Sequence, residues 1–212
     1  NAGSLAASTT LKFTTNTDAL VGGGGNDLIS GVYQDGGGTG TTIAPGDSVD
    51  GKAGTDTFTI SVAGINVASA NTDKTLSAVQ TDGVEKLFVS NFETSNGDNI
   101  FETGLMTGLT TVGLSASSGT GATEFNNMKN FVDAEMRNGS GNLTLTYGGE
   151  QVVTGTADSQ NLTVSSITGG TFSAAGFETV NIHSELSKST LAALTATELK
   201  TLNITGDKNL TI

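Results

Sequence analysis

A six-residue phrase, apolar at its first, fourth and sixth places, recurs along the chain. It reads Val84-Glu85-Lys86-Leu87-Phe88-Val89, Leu109-Thr110-Thr111-Val112-Gly113-Leu114, Phe177-Glu178-Thr179-Val180-Asn181-Ile182 and Leu199-Lys200-Thr201-Leu202-Asn203-Ile204. The last three places of each alternate as a half-buried strand does, because successive side chains of a strand point to opposite faces. Leu87 to Val112 is a step of 25 residues and Val180 to Leu202 one of 22, lengths that suit the rungs of a stacked repeat. A second phrase, Asn-Leu-Thr-aliphatic, occupies Asn142 to Leu145, Asn161 to Val164 and Asn209 to Ile212. It turns Leu and Val inward and Thr outward, where Thr or Asn can pile into ladders. The pattern predicts an all-β chain, a parallel β-helix or β-roll solenoid. Two segments read instead as short helices. Phe125, Met128, Phe131, Val132 and Met136 recur at three-to-four spacing within 124–137, with Thr123 as an N-cap, and a shorter segment, Lys188 to Leu194, follows Ser184 and Ser187.

The first quarter has a different period. Gly22-Gly23-Gly24-Gly25-Asn26-Asp27-Leu28-Ile29-Ser30 fits, place by place, a nonapeptide of the form G-G-x-G-x-D-x-U-x, where U is a large apolar residue. Gly51-Lys52-Ala53-Gly54-Thr55-Asp56-Thr57-Phe58-Thr59 is a second copy, with Lys52 at the second glycine's place. Nine residues before each stands another aspartate, Asp18 and Asp47, and all four acids are followed two places on by an apolar residue: Leu20, Ile29, Val49 and Phe58. Nine residues make half a turn of a flattened roll. Asp18 and Asp27 then lie on opposite edges, and the loop of Asp27 stacks on that of Asp56. The excess between Asp27 and Asp47 falls in a loop from Val32 to Gly40. Between the stacked loops Ca²⁺ is the expected cofactor, held by Asp27 and Asp56 with backbone carbonyls around Gly23, Gly25, Gly51 and Gly54. The ion takes six to eight hard oxygens at roughly 2.3–2.6 Å. Asp18 and Asp47 are a weaker second edge, since Thr14, Thr15, Thr42 and Ile43 replace its glycines.

Composition agrees with a thin core repeated many times. The 212 residues include 30 Gly, 35 Thr and 20 Ser, while hydrophobic residues other than Gly make up 35%. The net charge of −12 disfavours nucleic acid and anionic membranes, and no apolar run approaches the ~20 residues of a membrane span. Half of the twelve aspartates lie between Asp18 and Asp56 with Lys52 as their only cation, a repulsion that a divalent ion relieves. There is no Cys, so neither disulfide nor thiolate metal site forms. His183 is the single histidine, on a strand and facing opposite to Ile182, and no nucleophile-elbow, phosphate-loop or zinc-helix motif occurs. The chain therefore reads as a non-enzyme. Because it opens on Asn1 rather than Met, it reads as a piece processed or excised from something longer.

The run TDALVGGGGNDLISG, followed by PGDSVDGKAGTDTFTI, resembles the nonapeptides of RTX (repeats-in-toxin) proteins, and its passage into Thr/Ser/Ala-rich strands resembles RTX-type bacterial surface-layer proteins. The motif likeness covers about residues 14 to 60; beyond it the likeness is one of composition. Residues 1–60 thus read as a calcium-binding β-roll segment and 61–212 as its continuation. Leucine-rich repeats use a similar apolar phrase but need an Asn after it, where this chain has Phe92, Ser117, Glu185 and Asp207. The resemblance implies Ca²⁺ binding, type I secretion, folding outside the cell and assembly with copies of itself at a bacterial cell surface, with a cell-surface glycan as a possible anchor. An RTX module of a secreted toxin or hydrolase, or an adhesin domain, is the alternative.

Overall fold

The computed structural model describes residues 7–35, 40–64, 72–76, 79–94, 96–148, 153 and 155–212. Among them there are strands and turns and no helix, and the strands pair in parallel throughout. The largest sheet has nine strands in chain order, from Thr10–Lys12 through Leu28–Asp35, Thr57–Gly64, Lys86–Asn91, Thr111–Ser115, Asp133–Arg137, Ser159–Ser165 and Thr179–Ser184 to Thr201–Gly206. Between its visits the chain adds strands to a six-stranded sheet, bounded by Lys74–Leu76 and Ala193–Thr195, and to a three-stranded sheet of Ala19–Val21, Ser48–Asp50 and Gln80–Asp82. Paired residues in the large sheet are 18, 29, 29, 25, 22, 28, 20 and 22 positions apart in sequence. This all-β arrangement of large parallel sheets is compatible with a parallel β-helix or β-roll.

Strict register makes the core a set of columns. One runs Leu11, Ile29, Phe58, Leu87, Val112, Ala134, Leu162, Ile182, Ile204. A second runs Ile60, Val89, Leu114, Met136, Val164, and the six-stranded sheet faces them with Leu76, Phe101, Phe125, Leu145 and Ala174. All but the two ends of the first column belong to one buried cluster from Phe13 to Leu191; Leu11 packs half-buried against it and Ile204 is exposed. Each large side chain removed from water stabilises the fold by roughly 1.5–3 kcal/mol. Gly31 pairs with Ile60 in the second column, and a Cβ there would stand 2.7 Å from Ile43, which fills the space instead. The corners are columns too: Ala116, Asn138, Ser166 and Leu186, each just past a strand of the large sheet, adopt φ of 54 to 59°.

The two expected helices are strands. Ala122–Met128 and Asp133–Arg137 occupy the first, and Ser189–Thr190 and Ala193–Thr195 the second. In the first segment Thr123 and Phe125 are buried two apart, as are Val132, Ala134 and Met136, so the burial period is two on each side of a turn. An irregular register between Phe125 and Met128, with Asn127 at φ 58°, shifts the alternation and imitates helical spacing. Phe131 lies exposed in that turn, packed edge-on to Tyr147 and Phe177. The loop expected from Val32 also begins later. Val32, Tyr33 and Gln34 pair with Ser61, Val62 and Ala63, and residues 36–39 of that expectation lie outside the described residues.

Phe58 is fully buried in the first column, with the Phe13 ring 5.5 Å away. Phe58→Ala is expected to lower unfolding stability by about 3–5 kcal/mol in urea titrations. Thr163→Ala on the outer face of the same sheet should stay within about 0.5 kcal/mol.

Candidate metal centre

Asp27, Asp56 and Glu85 each stand one residue before a strand of the large sheet, at a constant step of 29 residues. Parallel pairing therefore sets acid on acid. Backbone amides thread the stack. The Asp27 N–H donates to Asp56 Oδ1 at 2.7 Å, and the Asp56 N–H to Glu85 Oε2 at 2.7 Å. Asp27 receives the Thr9 N–H on Oδ1 at 2.5 Å and the Gly23 N–H on Oδ2 at 2.7 Å. Each carboxylate thus accepts the amide of the residue one pass earlier in the column, and that bond fixes the turn just before the strand.

The other edge repeats the device. Asp18 and Asp47 precede Ala19–Val21 and Ser48–Asp50, and the Asp18 N–H donates to Asp47 Oδ1 at 2.9 Å. Asp47 Oδ2 accepts the Ala44 N–H at 2.6 Å, while Asp18 accepts the Thr14 amide at 2.6 Å and the Thr14 hydroxyl at 3.0 Å. On this edge every carboxylate oxygen has a donor. The four acids named by the nonapeptide period thus form two stacked pairs, Asp27 with Asp56 and Asp18 with Asp47. Among the described residues no three acidic or imidazole side chains converge on one ion position.

The exception lies at Asp56. Its side chain is fully buried, and Oδ2 has no hydrogen-bond partner. Burial pushes its carboxyl above the ordinary value of 3.8; the Asp27 N–H opposes that shift, while the charges of Asp27 and Glu85 add to it. The glycines expected to carry carbonyls lie against this stack. A Cβ on Gly51 would meet the Gly83 carbonyl oxygen at 2.1 Å and Asp56 Oδ2 at 2.5 Å, so two acceptor oxygens close on one small space. On Gly22 it would meet Asp27 Oδ2 at 2.1 Å and the Gly51 carbonyl at 2.8 Å, the same construction one pass earlier. Gly54, at φ 138°, lies over the Gly25 carbonyl, and Gly23 over that of Ala7. All the donors are hard oxygens, the chemistry of a Ca²⁺ site, and the open valence is at Asp56 Oδ2 beside Gly83.

Glu85 and Gly83 escape the sequence reading because the Gly-rich motif stops at residue 60. A signal for them exists: 27, 56 and 85 are evenly spaced, and each acid is followed two places on by an apolar residue, Ile29, Phe58 and Leu87. Compared with known protein families, with characterised proteins and with solved structures, the chain matches none of them.

Asp56→Asn keeps the Oδ1 acceptor and turns the unpartnered oxygen into an N–H₂ donor beside the Gly83 carbonyl. In chelator it is expected to raise the melting temperature by about 2–4 °C, the equivalent of about 1 kcal/mol. The advantage should also depend on pH. A raised folded value means that Asp56 stabilises the fold most when protonated, fully so below 3.8, and that this contribution is lost as pH rises through the raised value. The difference in melting temperature between Asp56→Asn and the parent chain should therefore shrink on acidification across that window. A difference constant with pH would count against an unrelieved buried charge.

Proposed function

We propose that this chain is a calcium-dependent structural segment of a secreted bacterial surface layer, a β-solenoid of RTX type that assembles with copies of itself. The observation that carries the reading is the unpartnered, buried Asp56 Oδ2 within the Asp27–Asp56–Glu85 column. A buried anion lacking its full set of donors destabilises a fold unless a cation satisfies it. Asp27, Asp56 and the carbonyls around Gly23, Gly25, Gly51 and Gly54 are the ligands of this reading, extended to Glu85 and the Gly83 carbonyl; Asp18 and Asp47 brace the opposite edge. The ion would neutralise the column and rigidify the turns that start successive strands.

Calcium then acts as a switch. At low Ca²⁺ inside a cell the charge of −12 keeps the chain loose enough for export. At about millimolar Ca²⁺ outside, weak sites fill and the fold sets. Self-assembly suits a molecule whose outer face carries ladders of Asn and Thr among its charged residues. The Asn161, Asn181 and Asn203 amides already form a ladder, Nδ2 to Oδ1 at 2.9 and 2.8 Å. An anchoring glycan has a candidate seat in a shallow groove of about 270 Å³ on the same face, lined by Lys86, Phe88, Glu135 and Arg137 among Thr and Ser hydroxyls. The same calcium chemistry would serve an RTX module of a secreted toxin or hydrolase, or an adhesin domain.

Calorimetric titration with Ca²⁺ should show binding that Asp27→Ala with Asp56→Ala abolishes, and chelator should increase hydrogen exchange in residues 18–60. Electron microscopy should show ordered sheets or tubes with Ca²⁺ and dispersed particles without it. Absence of Ca²⁺ binding overturns the metal reading, and monomers under both conditions overturn the assembly reading.

A further inference from the structure

A second cluster of reactive groups lies away from the acid column. Lys74 opens the strand Lys74–Leu76, at one end of the six-stranded sheet, Asn99 opens the neighbouring strand Asn99–Glu102, and the two are register partners. Glu93, just past the strand Lys86–Asn91, lies between them and is 3% exposed. One carboxylate binds both. Its Oε1 accepts from the Lys74 ammonium, and its Oε2 accepts from Asn99 Nδ2 at 2.8 Å. Asn99 is fully buried, and its Oδ1 has no hydrogen-bond partner. Glu93 is itself held in place: its N–H donates to Asn91 Oδ1 at 2.9 Å, and Asn91 is in turn fixed by Ser117 Oγ and Thr123 Oγ1. Leu76 and Phe101, two residues further along the two strands, are buried and close the site on its apolar side.

An amine and a carboxamide on adjacent strands, joined through the two oxygens of one carboxyl group in a site largely closed to water, form more than an ion pair. We propose that Lys74 and Asn99 are a self-cross-linking site, closed into an amide bond between Lys74 Nζ and Asn99 Cγ with Glu93 as the catalytic residue. The ammonium passes a proton to Glu93 across their hydrogen bond, which leaves a neutral amine whose lone pair attacks Cγ. The carbonyl electrons move onto Oδ1. Glu93 delivers its proton to Nδ2 and takes one from Nζ, collapse of the tetrahedral carbon breaks the Cγ–Nδ2 bond and expels ammonia, and the ammonia takes the proton from Glu93, leaving as ammonium and restoring the carboxylate. Ammonium and carboxamide thus become a secondary amide and an ammonium ion, with no oxidant or other reactant. Approach of the reacting atoms to about 3–3.5 Å and proton transfer within a fixed hydrogen-bonded triad are what lower such a barrier. The bond ties an end strand of its sheet to its neighbour across 25 residues of chain, independently of any calcium.

Intact mass spectrometry of the folded full chain, measured after denaturation, tests this directly. The expected mass is below that of the sequence by one ammonia, about 17 Da, and a digest should contain a branched peptide joining Lys74 to Asn99. Lys74→Arg keeps the ion pair with Glu93 but has no primary amine, so it should fold by circular dichroism and retain full mass. Glu93→Gln should likewise retain full mass. Succinimide formation at Asn96-Gly97 or Asn138-Gly139 also sheds ammonia, but it persists in Lys74→Arg and gives no branched peptide. Full mass in the folded parent chain, or a loss that survives Lys74→Arg, overturns the proposal.

Discussion

In-register parallel pairing places each side chain of the large sheet over its counterpart on the next strand. At apolar positions like on like is favourable, and the column from Ile29 to Ile182 buries one aliphatic or aromatic group against the next without change of pattern. At acidic positions the same rule brings carboxylates together, at a cost in a buried site. The fold meets this cost with backbone. Each acid receives the amide N–H of the one before it, so that Asp27, Asp56 and Glu85 are joined by hydrogen bonds as well as set apart by charge. Those bonds fix the turns that start the strands, and the strands' registers rest on those turns.

Polar columns elsewhere in the molecule solve the same problem with different chemistry. Asn161, Asn181 and Asn203 are self-complementary, because an amide carries both donor and acceptor and a stack of them satisfies itself. Glu93 is buried as deeply as Asp27, yet it has a cation in Lys74 and an amide in Asn99. The acid column and the Glu93 cluster each leave one buried oxygen over: Oδ2 on Asp56 and Oδ1 on Asn99. The first is an anion's unused lone pair among other oxygens, which suits a cation. The second belongs to an electrophilic carboxamide beside an amine, which suits bond formation. Burial and an unfilled acceptor are common to both, and the neighbouring groups decide the chemistry.

Strand positions were legible because alternation is local. Leu87, Val89, Val112, Leu114, Val180 and Ile182 all point inward as their six-residue phrases require, and the nonapeptide period pairs Asp27 with Asp56 and Asp18 with Asp47. Leu202 and Ile204 obey the same phrase, but they lie on the last strand of the sheet and are 39% and 54% exposed. The reading failed where a local irregularity altered the period. Between Phe125 and Met128 an irregular register makes two strands resemble a helix, and three-to-four spacing alone does not separate the two. It also missed Glu85, since a glycine-rich motif was sought where only a carboxylate and a spacing remain.

By itself the sequence determined the alternation of apolar and polar residues, the acidic charge and the hard-oxygen character of the first quarter, all of which depend on neighbours a few places apart. Register was decided by the tertiary structure. That Lys74 faces Asn99, that Glu93 reaches both, and that Asp56 keeps one oxygen without a donor follow from contacts spanning 6 to 29 residues. Those spans vary from pass to pass, and only the packing of each column against the next selects the pairing that fills the core.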